Sequence, residues 1–75
     1  MITKPTFNEL IGKLSTIFNE HISEARAELY YKYLCQLMTD SDFYKIVQHI
    51  VLNNDKFPTI AAFVRADDFI KKSKP

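Results

Sequence analysis

Thr39-Asp40-Ser41-Asp42-Phe43-Tyr44-Lys45-Ile46-Val47-Gln48-His49-Ile50-Val51 is the stretch on which the fold turns. Phe43, Ile46, Val47, Ile50 and Val51 fall at i, i+3, i+4, i+7 and i+8, the spacing that collects apolar side chains on one face of an α-helix. Thr39 stands where an N-cap belongs, and Asp42 is a shorter substitute for the usual capping-box glutamate. Met38 and Phe43 occupy the staple positions on either side, so the preceding turn must be tight. Asn53 and Asn54 are placed to end the helix in the left-handed conformation.

The same reading extends in both directions. Upstream, Thr6 and Glu9 have capping-box spacing, with Pro5 and Leu10 at the staple positions. Phe7, Leu10, Ile11, Leu14, Ile17 and Phe18 then cover an arc of about 120°, a narrow core-facing stripe. Gly12, the only glycine, falls outside that arc; it either sits in solvent or admits another backbone. Asn19 to His21 connect to a helix capped by Ser23 and running to about Met38. Ala27, Tyr30, Tyr31, Tyr33, Leu34, Leu37 and Met38 give it an apolar face of roughly 160°. Such breadth predicts the central helix, anchored by Leu34 and Leu37. Downstream, Pro58 forces Phe57 into an extended geometry and Thr59 caps. Ile60, Phe63 and Val64 then form a short core face. An unbroken helix would bring Asp67 onto that face, which is costly for an unpaired carboxylate. A break is therefore expected near Arg65 or Ala66, with Asp67 capping a last turn that carries Phe69 and Ile70.

The expected fold is all-α: a small bundle of four main helices, about 6–19, 23–38, 39–53 and 59–66, with room for a short C-terminal turn or helix. Residues 1–70 form a single domain and 71–75 a frayed basic tail. A chain of 75 residues buries only about 60% of the surface it exposes when unfolded, and roughly 3–5 kcal/mol of net stability is expected. Up to Ile60 there are six Lys/Arg against seven Asp/Glu, and beyond it four against two. This is a basic tail rather than the basic stripe of a non-specific DNA binder. No apolar run reaches the roughly 20 residues of a membrane span. The N-terminus lacks the regions of a secretory signal, and the single Cys35 cannot form an internal disulfide, so a reduced, cytoplasmic setting is expected.

Catalytic chemistry finds little footing in the residues. His21 and His49 are each 14 positions from Cys35, and no CxxC or HExxH spacing is present, so neither a metal nor another cofactor is expected. A Cys35–His49 nucleophilic pair needs the fold to bring them together; the simpler reading makes Cys35 a small apolar side chain on the flank of its helix. Asp40/Asp42 and Asp67/Asp68 sit at helix starts, where carboxylates favour the dipole. The chain reads as a binding module and not an enzyme. Among Tyr30, Tyr31 and Tyr33, Tyr31 lies most to the flank and is best placed for a partner. Leu52 is apolar on an otherwise polar face. Lys71, Lys72 and Lys74 lie where a solvated end would put them, within reach of phosphates.

Leu29-Tyr30-Tyr31-Lys32-Tyr33-Leu34 leads through Met38-Thr39-Asp40 into Asp42-Phe43-Tyr44-Lys45-Ile46-Val47, then Phe57-Pro58-Thr59-Ile60-Ala61 with Arg65 soon after. This pattern resembles the helical N-terminal domain of small phage and prophage proteins that load, and in free form inhibit, the DnaB-type replicative helicase. The resemblance spans helix one to Arg65. It implies protein binding in replication initiation, with the helicase and an origin-binding initiator as partners. Direct contact with nucleic acid or membrane is not expected. Family members continue into a flexible tail that takes part in helicase contact, whereas this sequence ends at Pro75. The alternatives are a helical DNA-binding module, for which the outward face of helix three offers only Lys45, Gln48 and His49, and a phage regulatory protein that blocks another host factor.

Overall fold

A computed structural model describes residues 1–72 of the chain. Its four helices are α1 (Lys4–Ile17), α2 (Glu24–Leu34), α3 (Asp40–Asn53) and α4 (Ile60–Lys72), with no strand among the described residues. α1 packs on α2 and α3, and α4 packs on the same two, so α1 and α4 face each other diagonally across the bundle.

α3 forms as its sequence dictates. Asp42 N–H donates to the Thr39 hydroxyl, and Thr39 N–H donates back to the Asp42 carboxylate, each at 3.2 Å. Phe43, Ile46, Val47 and Ile50 are all buried. The helix does not end in a left-handed asparagine, however. Asn54 is extended (φ −114°), and the Asn53 side-chain amide donates to the His49 carbonyl at 2.8 Å. The left-handed residue is Asn19 (φ 52°), at the end of α1. There Glu20 N–H reaches the Ser15 carbonyl and Asn19 N–H the Thr16 carbonyl, the two bonds of a Schellman motif.

α1 begins earlier than its capping-box spacing implies. Pro5 lies within the first turn, where its missing N–H costs nothing, and extended Thr3 is the N-cap. Thr6 is thereby inside the helix and does not cap. Its hydroxyl donates to Asp40 at the start of α3 (3.2 Å), which also receives the Thr3 N–H (2.7 Å) and the Thr3 hydroxyl (2.9 Å).

α2 stops at Leu34, short of Met38, and Cys35 to Leu37 form a turn. The N-terminal segment meets the helix end. Ile2 N–H donates to the Cys35 carbonyl at 2.9 Å, the Tyr31 hydroxyl donates to the Ile2 carbonyl at 2.9 Å, and the Ile2 side chain is fully buried. Two core expectations fail in and just after α2. Leu37, predicted as an anchor, leaves the helical phase and is 51% exposed, and Tyr33 also faces solvent. Within α2 only Tyr30 and Leu34 are buried, so α2 is not the centre of the domain; α3 buries more and makes the broader contacts.

The corner before α4 is built as read. Phe57 and Pro58 are buried, Ala62 N–H donates to the Thr59 hydroxyl (3.1 Å), and the Tyr30 hydroxyl donates to the Pro58 carbonyl (2.9 Å). The predicted break is absent: α4 runs unbroken to Lys72, so Lys71 and Lys72 are helical, while the rest of the expected frayed tail, 73–75, lies outside the described residues. Asp67 stays on the flank of the core face, its side chain only 14% exposed, and pairs with Lys71 at 3.0 Å. One turn of continued helix, and its i,i+4 partner, replace the cap that Asp67 was expected to supply. Continuity also turns Phe69 outward, and Val64 lies at the surface instead of in the core.

A series of ring contacts ties the elements together. It runs Tyr31–Phe7 (5.1 Å), Phe7–Phe43 (5.6 Å), Phe43–Phe63 (5.7 Å), Phe63–Tyr30 (6.0 Å), Tyr30–Phe57 (6.1 Å) and Phe57–Phe18 (6.4 Å). Each pair adds about 0.5–1.5 kcal/mol beyond the area it buries. The series links helices that are far apart in sequence and runs through the same core as the buried aliphatic side chains.

Candidate functional site

The fold distributes the predicted partner-binding residues over separate faces. Tyr31 is half-buried between α1 and α2, its ring edge-on to Phe7 and beneath the Lys4 ammonium (4.7 Å), its hydroxyl spent on Ile2. Those contacts are architectural. Leu52 projects from α3 and is 75% exposed. Arg65, Lys71 and Lys72 are exposed on α4. Lys71 pairs with Asp67, whose hydrogen bond holds the lysine pKa above its ordinary value, and Lys72 pairs with Asp68 at 3.0 Å. Lys74 lies outside the described residues.

Among the described residues no group of three or more His, Cys, Asp or Glu side chains converges as metal ligands would. Cys35 is buried, with its thiol 4.0 Å from the Lys32 carbonyl. His49 sits on another helix with its ring against Phe69. Asp40 has a well-organised carboxylate. The Thr3 backbone N–H, followed by the Thr3 and Thr6 hydroxyls, stabilises its charged form and holds its pKa below the ordinary value of 3.8. It ties Thr3 and the first turn of α1 to the start of α3.

Two concave regions are notable among the described residues. A wide cleft of about 1040 Å³ separates α1 from α2. Its floor is Phe7, Ala27 and Tyr31, and its rim is mixed in charge, with Lys4 and Glu28 joined across it at 3.3 Å. The second is a groove of about 390 Å³ between α1 and α3. Leu10 and Val47 form its buried base, and Ile17, Tyr44, Val51 and Leu52 form its walls. Lys13 and Gln48 are the polar residues of the lining. A shallow apolar groove with few polar groups suits the apolar face of another helix. It offers none of the paired titratable groups that acid-base or nucleophilic chemistry needs.

Leu52 was legible as a surface apolar residue, but its companions Ile17 and Tyr44 were not. Tyr44, Gln48, Val51 and Leu52 form a second stripe at i, i+4, i+7 and i+8, beside the core stripe of α3. Three apolar residues in that second stripe were the available signal. Ile17 carried the core spacing of α1 but overhangs the end of the bundle. No protein-family model matches the chain, and no curated protein or solved structure matches it either.

Proposed function

We propose that this domain acts by binding protein, as a loader and inhibitor of a DnaB-type replicative helicase in replication initiation, with an origin-bound initiator as second partner. The carrying observation is the α1–α3 groove, where Ile17, Tyr44 and Leu52 are held at the surface around a buried apolar base. Exposed apolar side chains gathered in a concavity are what a partner's helix would cover. The choice of helicase rests on the sequence resemblance carried by the tyrosine-rich α2, the Asp42-Phe43-Tyr44-Lys45 helix start and the Phe57-Pro58-Thr59 corner. On this reading the chain performs no chemistry. It occupies a surface of the helicase and thereby controls when the ring can engage DNA.

The test is a binding and ATPase assay of the 75-residue chain with a purified DnaB-type helicase, using Leu52→Asp and Tyr44→Ala beside the wild type. Both substitutions are at exposed positions, so circular dichroism should show an unchanged fold. Binding that weakens by roughly tenfold or more in both variants is the expected result for anchor residues. Absence of binding, or binding indifferent to both substitutions, removes the reading.

A further inference from the structure

The continuous course of α4 leaves a side chain that needs explaining. A break near Ala66 would let Asp67 cap and Phe69 turn inward. The unbroken helix instead keeps Phe69 59% exposed. Departures from locally preferred arrangements concentrate where function requires them. Phe69 is also held in place. The His49 ring of α3 lies against it, centroids 5.1 Å apart and planes 31° apart. The Asn53 amide, which donates to the His49 carbonyl at 2.8 Å, also lies 3.4 Å from His49 Nδ1. An aromatic side chain fixed this way is an anchor that loses little freedom when a partner covers it.

Charge of both signs surrounds this anchor, but the two cations without a partner are Lys45 and Arg65. Lys45 lies one turn before His49 on α3, and Arg65 one turn before Phe69 on α4. Both cations are exposed, and neither has an ion-pair partner among the described residues. The nearby carboxylates are committed elsewhere: Asp67 to Lys71, Asp68 to Lys72 and Asp42 to the Thr39 N–H. We infer that this α3–α4 ridge docks an acidic amphipathic peptide segment, which seats an apolar side chain on Phe69 and directs carboxylates to Lys45 and Arg65. Charge complementarity selects that occupant. Two uncommitted cations suffice to pair with acidic side chains, whereas a nucleic-acid strand is ordinarily held by a longer basic track along its phosphates. The ridge is separate from the α1–α3 groove, so this inference stands or falls independently of the helicase assignment.

The experiment is an amide chemical-shift titration of the chain with three probes. The first is a synthetic peptide of about 15 residues with Leu and Phe at helical i, i+4 spacing and Glu elsewhere. The second replaces every Glu by Gln, and the third is an oligothymidylate of similar length. The acidic peptide should saturate shifts at Lys45, His49, Arg65 and Phe69, at least tenfold more tightly than the Gln peptide. Phe69→Ala, and separately Lys45→Glu with Arg65→Glu, should each weaken it by a further tenfold or more, while Leu52→Asp leaves it unchanged. No saturable shift, equal binding of the Gln peptide, shifts confined to the α1–α3 groove, or tighter binding of the oligothymidylate at the same residues would each overturn the proposal.

Discussion

α3 and α4 are close in length, lie against each other more extensively than any other pair of helices, and each touches one further helix. They use their surfaces differently. α3 puts Phe43, Ile46, Val47 and Ile50 entirely in the core and keeps its capping box intact. α4 buries Phe63 and Ala66, half-buries Asp67 beside an ion pair, and leaves Val64 and Phe69 outside. The difference lies in the second neighbour. α3 has α1, which offers four buried residues, whereas α4 has α2, which offers two. An amphipathic face is filled only as far as its neighbours offer surface to bury, and α4 is left with Val64 and Phe69 exposed.

Substituting the same residue type on the two helices gives the strongest test of that contrast. Phe43→Ala should cost about 3–5 kcal/mol, the range for a fully buried phenylalanine. Because the whole domain is expected to be worth no more than that, the variant should be largely unfolded by circular dichroism at 25 °C. Phe69→Ala should change stability by less than about 0.5 kcal/mol in urea melts. Comparable losses at both sites would mean that the exposed ring is part of the core after all.

The caps should not distinguish the helices. Thr39→Ala and Thr59→Ala should each cost about 1 kcal/mol, since each removes a side-chain acceptor from a first-turn N–H. A much larger loss at Thr39 would show that the reciprocal bond from Asp42 acts cooperatively with it. Gly12→Ala tests a position where packing has no say. A Cβ there meets nothing within 4 Å, so urea melts should show a gain approaching 1 kcal/mol from helix propensity alone. No gain would indicate an unseen constraint on α1.

The smallest effect at neutral pH, and a growing one in acid, belongs to Asp40. Its folded-state pKa lies below 3.8 because Thr3 and Thr6 donate to its charged form. Its contribution is therefore fully present above the unfolded value and is lost as pH falls through the lowered folded value. Urea midpoints measured from about pH 6 down to about pH 2 should decline less steeply in Asp40→Asn than in the wild type. Parallel declines would detach the N-terminal segment from the acid sensitivity of the fold.

These contrasts also mark what could be read along the chain. The cap and stripe of α3, the Ser23 cap and the Phe57-Pro58-Thr59 corner depend on neighbours within a few residues, and all appear as expected. The end of α2 does not. Cys35 sits where the helix could have continued, and its carbonyl instead receives Ile2 from the far end of the chain. Of the candidate site, Leu52 was visible because it interrupts a polar face. Nothing local reveals that the Tyr31 hydroxyl binds Ile2. Ile17 and Tyr44 become a groove only when α1 and α3 lie side by side.

The amino-acid sequence by itself determined an all-helical domain, its number of helices and most of their starts. Helix initiation is a local matter of caps, prolines and apolar spacing, so the information lies within a turn or two. Only the tertiary structure decided where α2 stops, that α4 runs unbroken past Arg65, which helix dominates the core, and that Phe69 faces outward. Those outcomes depend on the area that distant segments offer one another, and on whether a carboxylate such as Asp67 finds its cation before it needs a cap.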